Sequence, residues 1–133
     1  MRMAREARRI AGQHRYLDAL HATTQRVLEC GGADEMVQAL RGFAGALVAH
    51  FSIEEQVEFP ALHGLDPALA PALAELEREH VRFRGDLAAL GELLQVGDPA
   101  EQRDPVVAGF GRVVVALREH ESREESLFGS PAA

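Results

Sequence analysis

Residues 50–60 of this chain read HFSIEEQVEFP, and their spacing is the starting point for predicting the fold. His50 and Glu54 are four positions apart, which on a helix places both side chains on one face, within reach of the same ion. Residues 120–128 read HESREESLF and repeat this spacing with His120 and Glu124. Two His-x-x-x-Glu pairs indicate helices that carry metal ligands.

Two further histidines each precede one copy of the pair. His14 lies in the N-terminal segment, and His80 lies between the two copies. We therefore expect a helix with a single histidine, followed by a helix with a His-x-x-x-Glu pair, twice over.

The composition favours one helical domain without a nucleic-acid surface. With 133 residues the chain is long enough for a single core, and we predict one domain over residues 1–133. It is 47% hydrophobic and only 5% aromatic, without strand-like alternation, so an all-α fold is expected. A net charge of -7, with only arginine among the 14 basic residues, argues against a nucleic-acid partner.

Several features also favour a soluble, cytoplasmic protein. The lone cysteine, Cys30, cannot form an intrachain disulfide, which fits a reducing compartment. The N-terminus is rich in arginine and lacks the apolar stretch of a signal peptide. No apolar run is expected to be long enough to span a membrane, so we predict no membrane partner.

Apolar residues at steps of three and four predict four helices. The first helix ends at the Gly31-Gly32 pair. The second runs from about Ala33 to near Phe59, where Pro60 is expected to end or kink it. The predicted inner face of the second helix consists of Met36, Leu40, Phe43, Leu47, His50, Glu54 and Val57.

Aspartate followed by proline marks the starts of the other two helices, because aspartate caps a helix and proline suits its first turn. The third helix is predicted to begin at Asp66 and to end at Gly97. The last helix is predicted to begin at either Asp98 or Asp104. Four helices of comparable length joined by short turns predict an antiparallel up-down four-helix bundle.

In such a bundle the four histidines are expected to lie at one height. Successive histidines are equidistant from the turn between them, with turn centres at Gly32, Leu65 and Ala100. Glu54 and Glu124 lie one helical turn further along, on helices that run parallel, so both carboxylates approach the histidine layer from the same side. The spacing thus predicts a cage for two metal ions, with the ligands His14, His50, Glu54, His80, His120 and Glu124.

Other polar residues near these positions receive different predictions. Glu55 and Glu125 each follow a predicted ligand and point about 100 degrees away from it, so we expect a solvated flank. His21 is expected to be held by hydrogen bonds, with a role near the ligands or in an access channel as the alternative. His63 is expected to be exposed in a turn. Holding a ligand imidazole or binding a bridging oxygen is an alternative role for Glu58, Glu79 and Tyr16.

The order and spacing of these residues resemble the hemerythrin-like family, specifically its HHE cation-binding branch. The resemblance covers nearly the whole chain and rests on His14, the two His-x-x-x-Glu pairs, Phe59-Pro60, Glu79-His80 and Leu127-Phe128. The family implies a non-haem di-iron centre, with an oxo or hydroxo bridge, inside a four-helix bundle. Carried over residue by residue, the resemblance implies one iron on His14 and His50 and one on His80 and His120, with Glu54 and Glu124 shared.

Two departures from the family weaken an oxygen-carrier interpretation. Oxygen-carrying hemerythrins have a second histidine four residues after the third-helix histidine, where this chain has Arg84. They also have an aspartate bridge five residues after the last histidine, whereas Glu124 follows His120 by four. Ferritin-type bundles use Glu-x-x-His, the reverse order, so a ferritin interpretation is disfavoured.

The resemblance implies a protein that binds or senses oxygen, peroxide, nitric oxide or iron itself. Two alternatives stay open. One is a di-iron enzyme that disproportionates peroxide or reduces nitrogen oxides, because it needs the same cage with an open coordination position. The other is a bundle whose metal, for instance zinc, is purely structural.

Overall fold

Five α-helices and three short turns of other helix types make up the described part of the chain. The computed structural model describes residues 2–129, with side chains from residue 5 onward. Met1 and residues 130–133 of the predicted domain lie outside this range. The helices are α1 (Arg2–Cys30), α2 (Ala33–Ile53), α3 (Phe59–Leu65), α4 (Ala70–Gln95) and α5 (Arg103–Phe128).

The helices form a bundle of four rods, because α2 and α3 together make one continuous rod. α1 packs against α2 and α5, and α4 packs against the same two helices, so rods that follow each other in the chain are neighbours. This arrangement confirms the predicted all-α four-helix bundle.

Two aspartate caps begin the third and fourth rods. Asp66 accepts a hydrogen bond from the Ala68 N–H at 3.1 Å, and Asp98 accepts one from the Ala100 N–H at 3.0 Å. Each aspartate opens a 3-10 turn rather than the α-helix itself. The capping positions are therefore confirmed. α4 begins a few residues later than predicted from Asp66, whereas α5 begins at Arg103, beside Asp104, the second of its two predicted starts.

A π-helical turn, Glu54–Glu58, connects α2 to α3. The N–H of Phe59 donates to the carbonyl of Glu54, five residues back. Pro60 has no N–H to donate and stands in the first turn of α3, where none is needed. Of the two expectations for Pro60, an end of the helix is wrong, because α3 continues to Leu65, and the helix is instead irregular in the π turn just before this proline.

The π turn also changes which residues face inward. Glu54 and Glu58 are both fully buried, whereas Val57 is 50% exposed. A π turn holds about one residue more than an α-helical turn, so the residue below Glu54 on the inner face is Glu58. The prediction of Val57 on the inner face is wrong for this reason. The other predicted inner residues of this rod are buried.

Two apolar clusters lie on either side of the histidine layer. The larger one includes Leu17, Phe43, Leu47, Phe83 and Leu117. The smaller one, toward the other end of the bundle, consists of Ala7, Ile10, Phe59, Leu62, Leu73, Leu76 and Phe128. Hydrocarbon thus shields the layer of ionisable residues from water at both ends.

The rod Ala33–Leu65 is long and apolar enough to cross a membrane by length and composition alone. The expectation that no run reaches that length is therefore wrong. Core helices of soluble proteins pass the same test, and α2 packs against both α1 and α4. The rod by itself does not indicate a membrane protein.

Candidate metal centre

Four imidazoles meet in one layer of the bundle, as their equal distances from the turns predict. The ring centroids of His14 and His50 are 5.3 Å apart, and those of His80 and His120 are 4.9 Å apart. All four side chains are buried. The Nε2 atoms of His80 and His120 lie 3.2 Å apart, so these two rings direct the same nitrogen into the layer.

Glu124 on α5 reaches both histidine pairs, one with each oxygen. Its Oε1 lies 3.1 Å from Nε2 of His14. Its Oε2 lies 3.4 Å from Nε2 of His120 and 4.0 Å from Nε2 of His80. One oxygen directed at each pair is the arrangement expected of a carboxylate that bridges two ions.

Glu54, the first residue of the π turn, also lies between the pairs. Its Oε1 is 3.4 Å from Nε2 of His50 and 3.1 Å from Nε2 of His80. The donors form two groups that each suit one ion, with the donor atoms of a group within 4.8 Å of one another. The groups are His14, His50, Glu54 and Glu124, and Glu54, His80, His120 and Glu124. The family resemblance implies the same division, with both carboxylates shared.

Three of the four imidazoles are also held from outside by a carboxylate on another rod. Measured from Nδ1 to the carboxylate oxygen, the pairs are His14 with Glu125 at 3.0 Å, His80 with Glu55 at 2.5 Å, and His120 with Glu79 at 2.7 Å. A carboxylate that accepts the Nδ1–H orients the ring and leaves the Nε2 lone pair directed at an ion.

Glu55 and Glu125 are therefore not the solvated flank that we expected from the sequence. Their side chains keep 29% and 40% exposure, yet the next rod is close enough for each to reach an imidazole. The signal in the sequence is the Glu-Glu doublet that occurs in both copies of the motif. For Glu79 the alternative role is confirmed, because it holds the ring of His120.

Phe51 and Arg84 complete the surroundings of His80. Phe51 stacks on the His80 ring, with centroids 3.8 Å apart and planes inclined by 11°. Arg84 stands where oxygen carriers have a second histidine; it donates to Glu55 at 3.4 Å and lies 5.8 Å from the centre of the Phe51 ring. Arg84 thus supports the carboxylate that holds His80.

The remaining candidates lie at the edge of the layer or beyond it. Tyr16 is 62% exposed, which does not support a role in holding an imidazole. His21 is buried, as expected for a histidine held by polar neighbours. Its Nε2 lies 3.4 Å from a guanidinium nitrogen of Arg118 and 3.6 Å from Oδ1 of Asp18. His63 is exposed as predicted, although it lies in α3 and not in a turn.

The charges in the layer are unevenly distributed. Burial and the neighbouring carboxyl group of Glu124 raise the pKa of Glu54 well above its usual value. Burial opposes ionisation of Glu124, but its interactions with Glu54, His120 and His14 hold its pKa below the usual range. Burial also opposes charging of His14, yet the bond to Glu124 prevails and raises the His14 pKa to about 9. Burial lowers the pKa of His50 to about 4.

The donor set fits metal ions. Several buried donor atoms have no hydrogen-bond partner among the described residues, namely both oxygens of Glu54, Oε2 of Glu124 and both nitrogens of His50. Buried polar atoms left in this state are costly, and coordination of a cation would satisfy them. Imidazole and carboxylate donors suit iron, zinc and manganese alike.

Comparison with known proteins agrees with this geometry. A family model described as the hemerythrin HHE cation-binding domain matches residues 6–130, a range that includes all six predicted ligands. No curated protein and no solved structure gives a significant match. Because the match covers nearly the whole chain, the protein belongs to the hemerythrin HHE cation-binding domain family.

Proposed function

We propose that this chain holds two iron ions in the histidine layer and binds or senses a small oxidant there: oxygen, peroxide or nitric oxide. The observation on which the proposal rests is the pair of overlapping ligand groups that share Glu54 and Glu124. Each histidine pair serves one ion. Membership of a cation-binding family supports a metal, and the mixed imidazole and carboxylate donors are compatible with iron.

The ligand count leaves room for a small molecule. Two imidazoles and two shared carboxylates give each ion four protein donors, fewer than an octahedral ion accepts. Iron would supply the redox chemistry when bound. The protein's own part is to direct the Nε2 atoms inward through the outer carboxylates and to keep bulk water out with the two apolar clusters.

An apolar cavity between α1 and α2 supports a small uncharged ligand. It has a volume of about 270 Å³ and reaches the ring of His50, whose two nitrogens are without protein partners among the described residues. Tyr16 and Ile53 contribute to its wall from exposed positions. Oxygen and nitric oxide are uncharged and enter apolar cavities more readily than ions do, so this cavity favours them as ligands.

We also propose a cytoplasmic location. Cys30 is free and exposed, and a reducing compartment keeps such a thiol reduced.

Metal content and the visible spectrum test the proposed function. Protein expressed with iron and purified in air is expected to contain about two irons per chain and to absorb visible light. Glu54→Ala and Glu124→Ala each remove a shared ligand and are expected to lower the iron content while the protein stays helical. His63→Ala is the control, since this histidine is exposed on α3.

Each other outcome argues for a different function. Unchanged iron in both glutamate variants would refute the cage. A colourless protein that contains only zinc would refute the redox function and favour a structural metal. Steady-state turnover of peroxide or nitric oxide would identify an enzyme in place of a binding or sensing protein.

A further inference from the structure

The pair formed by His80 and His120 is held firmly from outside the layer. Nδ1 of His80 lies 2.5 Å from the carboxylate of Glu55, and Nδ1 of His120 lies 2.7 Å from that of Glu79. Each of these carboxylates also accepts a hydrogen bond from an arginine, which holds it in place. The arginines are Arg84 for Glu55 and Arg123 for Glu79. Both imidazoles of this pair are therefore oriented for an ion before it binds.

Aromatic side chains also pack on these two rings. Besides Phe51, Phe59 stacks on the ring of His80, with centroids 5.7 Å apart and planes inclined by 20°. Phe83 meets the ring of His120 edge-on, with centroids 5.4 Å apart. Close packing of this kind leaves the two imidazoles little room to turn.

The pair formed by His14 and His50 has weaker support. Glu125 accepts a hydrogen bond from Nδ1 of His14 at 3.0 Å, but its side chain is 40% exposed and forms no ion pair with an arginine among the described residues. His50 has no outer carboxylate at all. Its Nδ1 is buried and without a hydrogen-bond partner in the described part of the chain, which distinguishes it from the other three imidazoles.

The unpartnered Nδ1 of His50 imposes a cost that metal binding does not remove. Nε2 is the nitrogen that lies beside the shared carboxylate of Glu54, at 3.4 Å, so an ion in the layer binds to Nε2 and leaves the proton on Nδ1. This N–H then stays buried without an acceptor, whereas the other three imidazoles donate theirs to a carboxylate. The absence of such an outer partner typically weakens metal binding by about 10–100-fold.

The apolar cavity between α1 and α2 adds to this difference. It borders the ring of His50 and is lined there by the small side chains of Ala46 and Ala49. His50 keeps 6% exposure, whereas His80 and His120 have none. A ligand ring that borders open space and lacks an outer partner can turn away from its ion, so an ion at this position can leave and be replaced.

We propose that the two metal positions are inequivalent, with a resident ion on His80 and His120 and an exchangeable ion on His14 and His50. The exchangeable position fills and empties with the supply of free metal, while the resident ion stays bound. The chain thereby responds to iron itself as well as to an oxidant. The proposal rests on the proposed function, because both positions belong to that metal centre.

A titration of metal-free protein with cobalt(II) tests this difference, because the visible absorption of cobalt(II) reports its binding to imidazole and carboxylate donors. Two cobalt ions per chain are expected to bind in two steps, the second at least about tenfold more weakly than the first. Two positions of equal intrinsic affinity would overturn the inequivalence and leave the proposed function standing. Fewer than two cobalt ions at saturation would refute the two-metal centre itself, and with it both proposals.

Matched variants assign each step to a histidine pair. Glu79→Ala removes the carboxylate behind His120 and is expected to weaken the first step by about 10–100-fold. Glu125→Ala removes the carboxylate behind His14 and is expected to weaken only the second step. Glu119→Ala, at an exposed position on α5, is the control and should keep both steps. A weaker first step in Glu125→Ala, with no change in Glu79→Ala, would overturn the assignment.

Metal exchange in the wild-type protein gives a second readout that needs no variant. Protein that holds two zinc ions is treated with a chelator of intermediate affinity, and native mass spectrometry counts the zinc ions per chain. A species with one zinc is expected to accumulate, and added cobalt(II) is expected to convert it to a protein with one zinc and one cobalt. Direct conversion of the two-zinc protein to the metal-free protein would overturn the proposal, because both ions would then leave together.

Discussion

Glu58 is a buried carboxyl group whose two oxygens have no hydrogen-bond partner among the described residues. Burial and the charge of Glu6 raise its pKa from 4.5 to about 7. Between these two values the folded protein keeps a proton that the unfolded chain has released. The free energy of unfolding of the metal-free protein therefore falls as the pH rises through this interval and levels off above it.

Glu58→Gln is expected to remove this pH-dependent loss, because the amide is neutral and has nearly the same shape. At about pH 8 the metal-free variant should be more stable than the wild type by up to about 3 kcal/mol. The advantage should shrink as the pH falls toward the ordinary carboxyl value. Urea unfolding of both proteins at a series of pH values measures the difference.

Glu92→Gln serves as the control, since this carboxylate is exposed on α4. Its stability relative to the wild type should not change with pH. A Glu58→Gln protein that differs from the wild type by a constant amount at every pH would show that Glu58 ionises in the folded state as it does in the unfolded chain.

At the level of the helices, the π turn gives two consecutive glutamates different tasks. Glu54 faces the layer, while Glu55 crosses to α4 and accepts the hydrogen bond from His80 Nδ1. Arg84, also on α4, donates to the same carboxylate. One irregular turn therefore both supplies a shared ligand and orients a ligand on the neighbouring rod.

Glu55→Ala is expected to weaken metal binding without removing a ligand. The ring of His80 would lose its outer acceptor, and losses of this kind lower metal affinity by about 10–100-fold. Competition with a chelator, using zinc or cobalt(II), measures the affinity. Glu77→Ala, at an exposed position on α4, should bind like the wild type. Equal affinity in the Glu55 variant would mean that stacking on Phe51 alone orients the ring.

The π turn and the roles of Glu55 and Glu125 could not be predicted from the sequence, for related reasons. An apolar pattern continued at 3.6 residues per turn predicts Val57 on the inner face, whereas Val57 is exposed in the structure. The pattern does not indicate that one turn is wider than the others. Pro60 is the one residue in the sequence that indicates an irregular helix here, but its missing N–H fits the start of a helix as well as its end. The sequence of one helix predicts a solvated Glu125, because the distance to the next rod is a property of packing and not of that helix.

For the whole molecule, the prediction of one histidine layer succeeded because it needed only the chain order. In an up-down bundle, positions equidistant from a turn lie at one height, and small errors in the turn centres shift that height by less than a helical turn. His50 and His80 are separated in the chain by α3 and its turns. Their Nε2 atoms nevertheless lie 3.4 Å and 3.1 Å from the same oxygen, Oε1 of Glu54, as the equal distances from the turn predict. Equal distances from the turns do not indicate which side chain accepts the hydrogen bond from the Nδ1 atom of each imidazole. The outer carboxylates therefore do not follow from the chain order.

In the metal-free bundle, the buried donor atoms of the histidine layer form too few hydrogen bonds with one another. Glu54, Glu124 and His50 each have at least one buried atom without a hydrogen-bond partner among the described residues. Removal of the metal with a chelator is therefore expected to lower the melting temperature. A ligand at 1,000 times its dissociation constant stabilises the folded state by about 4 kcal/mol, which for a domain of this size is on the order of 10–20 °C. Thermal unfolding followed by circular dichroism, with and without added zinc, measures the shift.

A variant with both Glu54→Ala and Glu124→Ala should unfold at the same temperature with and without zinc, because it lacks both shared ligands. An equal zinc-dependent shift in this variant and the wild type would place the stabilising ion outside the histidine layer. Such a result would mean that the histidine layer does not couple stability to metal binding. The overlapping ligand groups predict the opposite, because the ions that occupy them hold all four rods together.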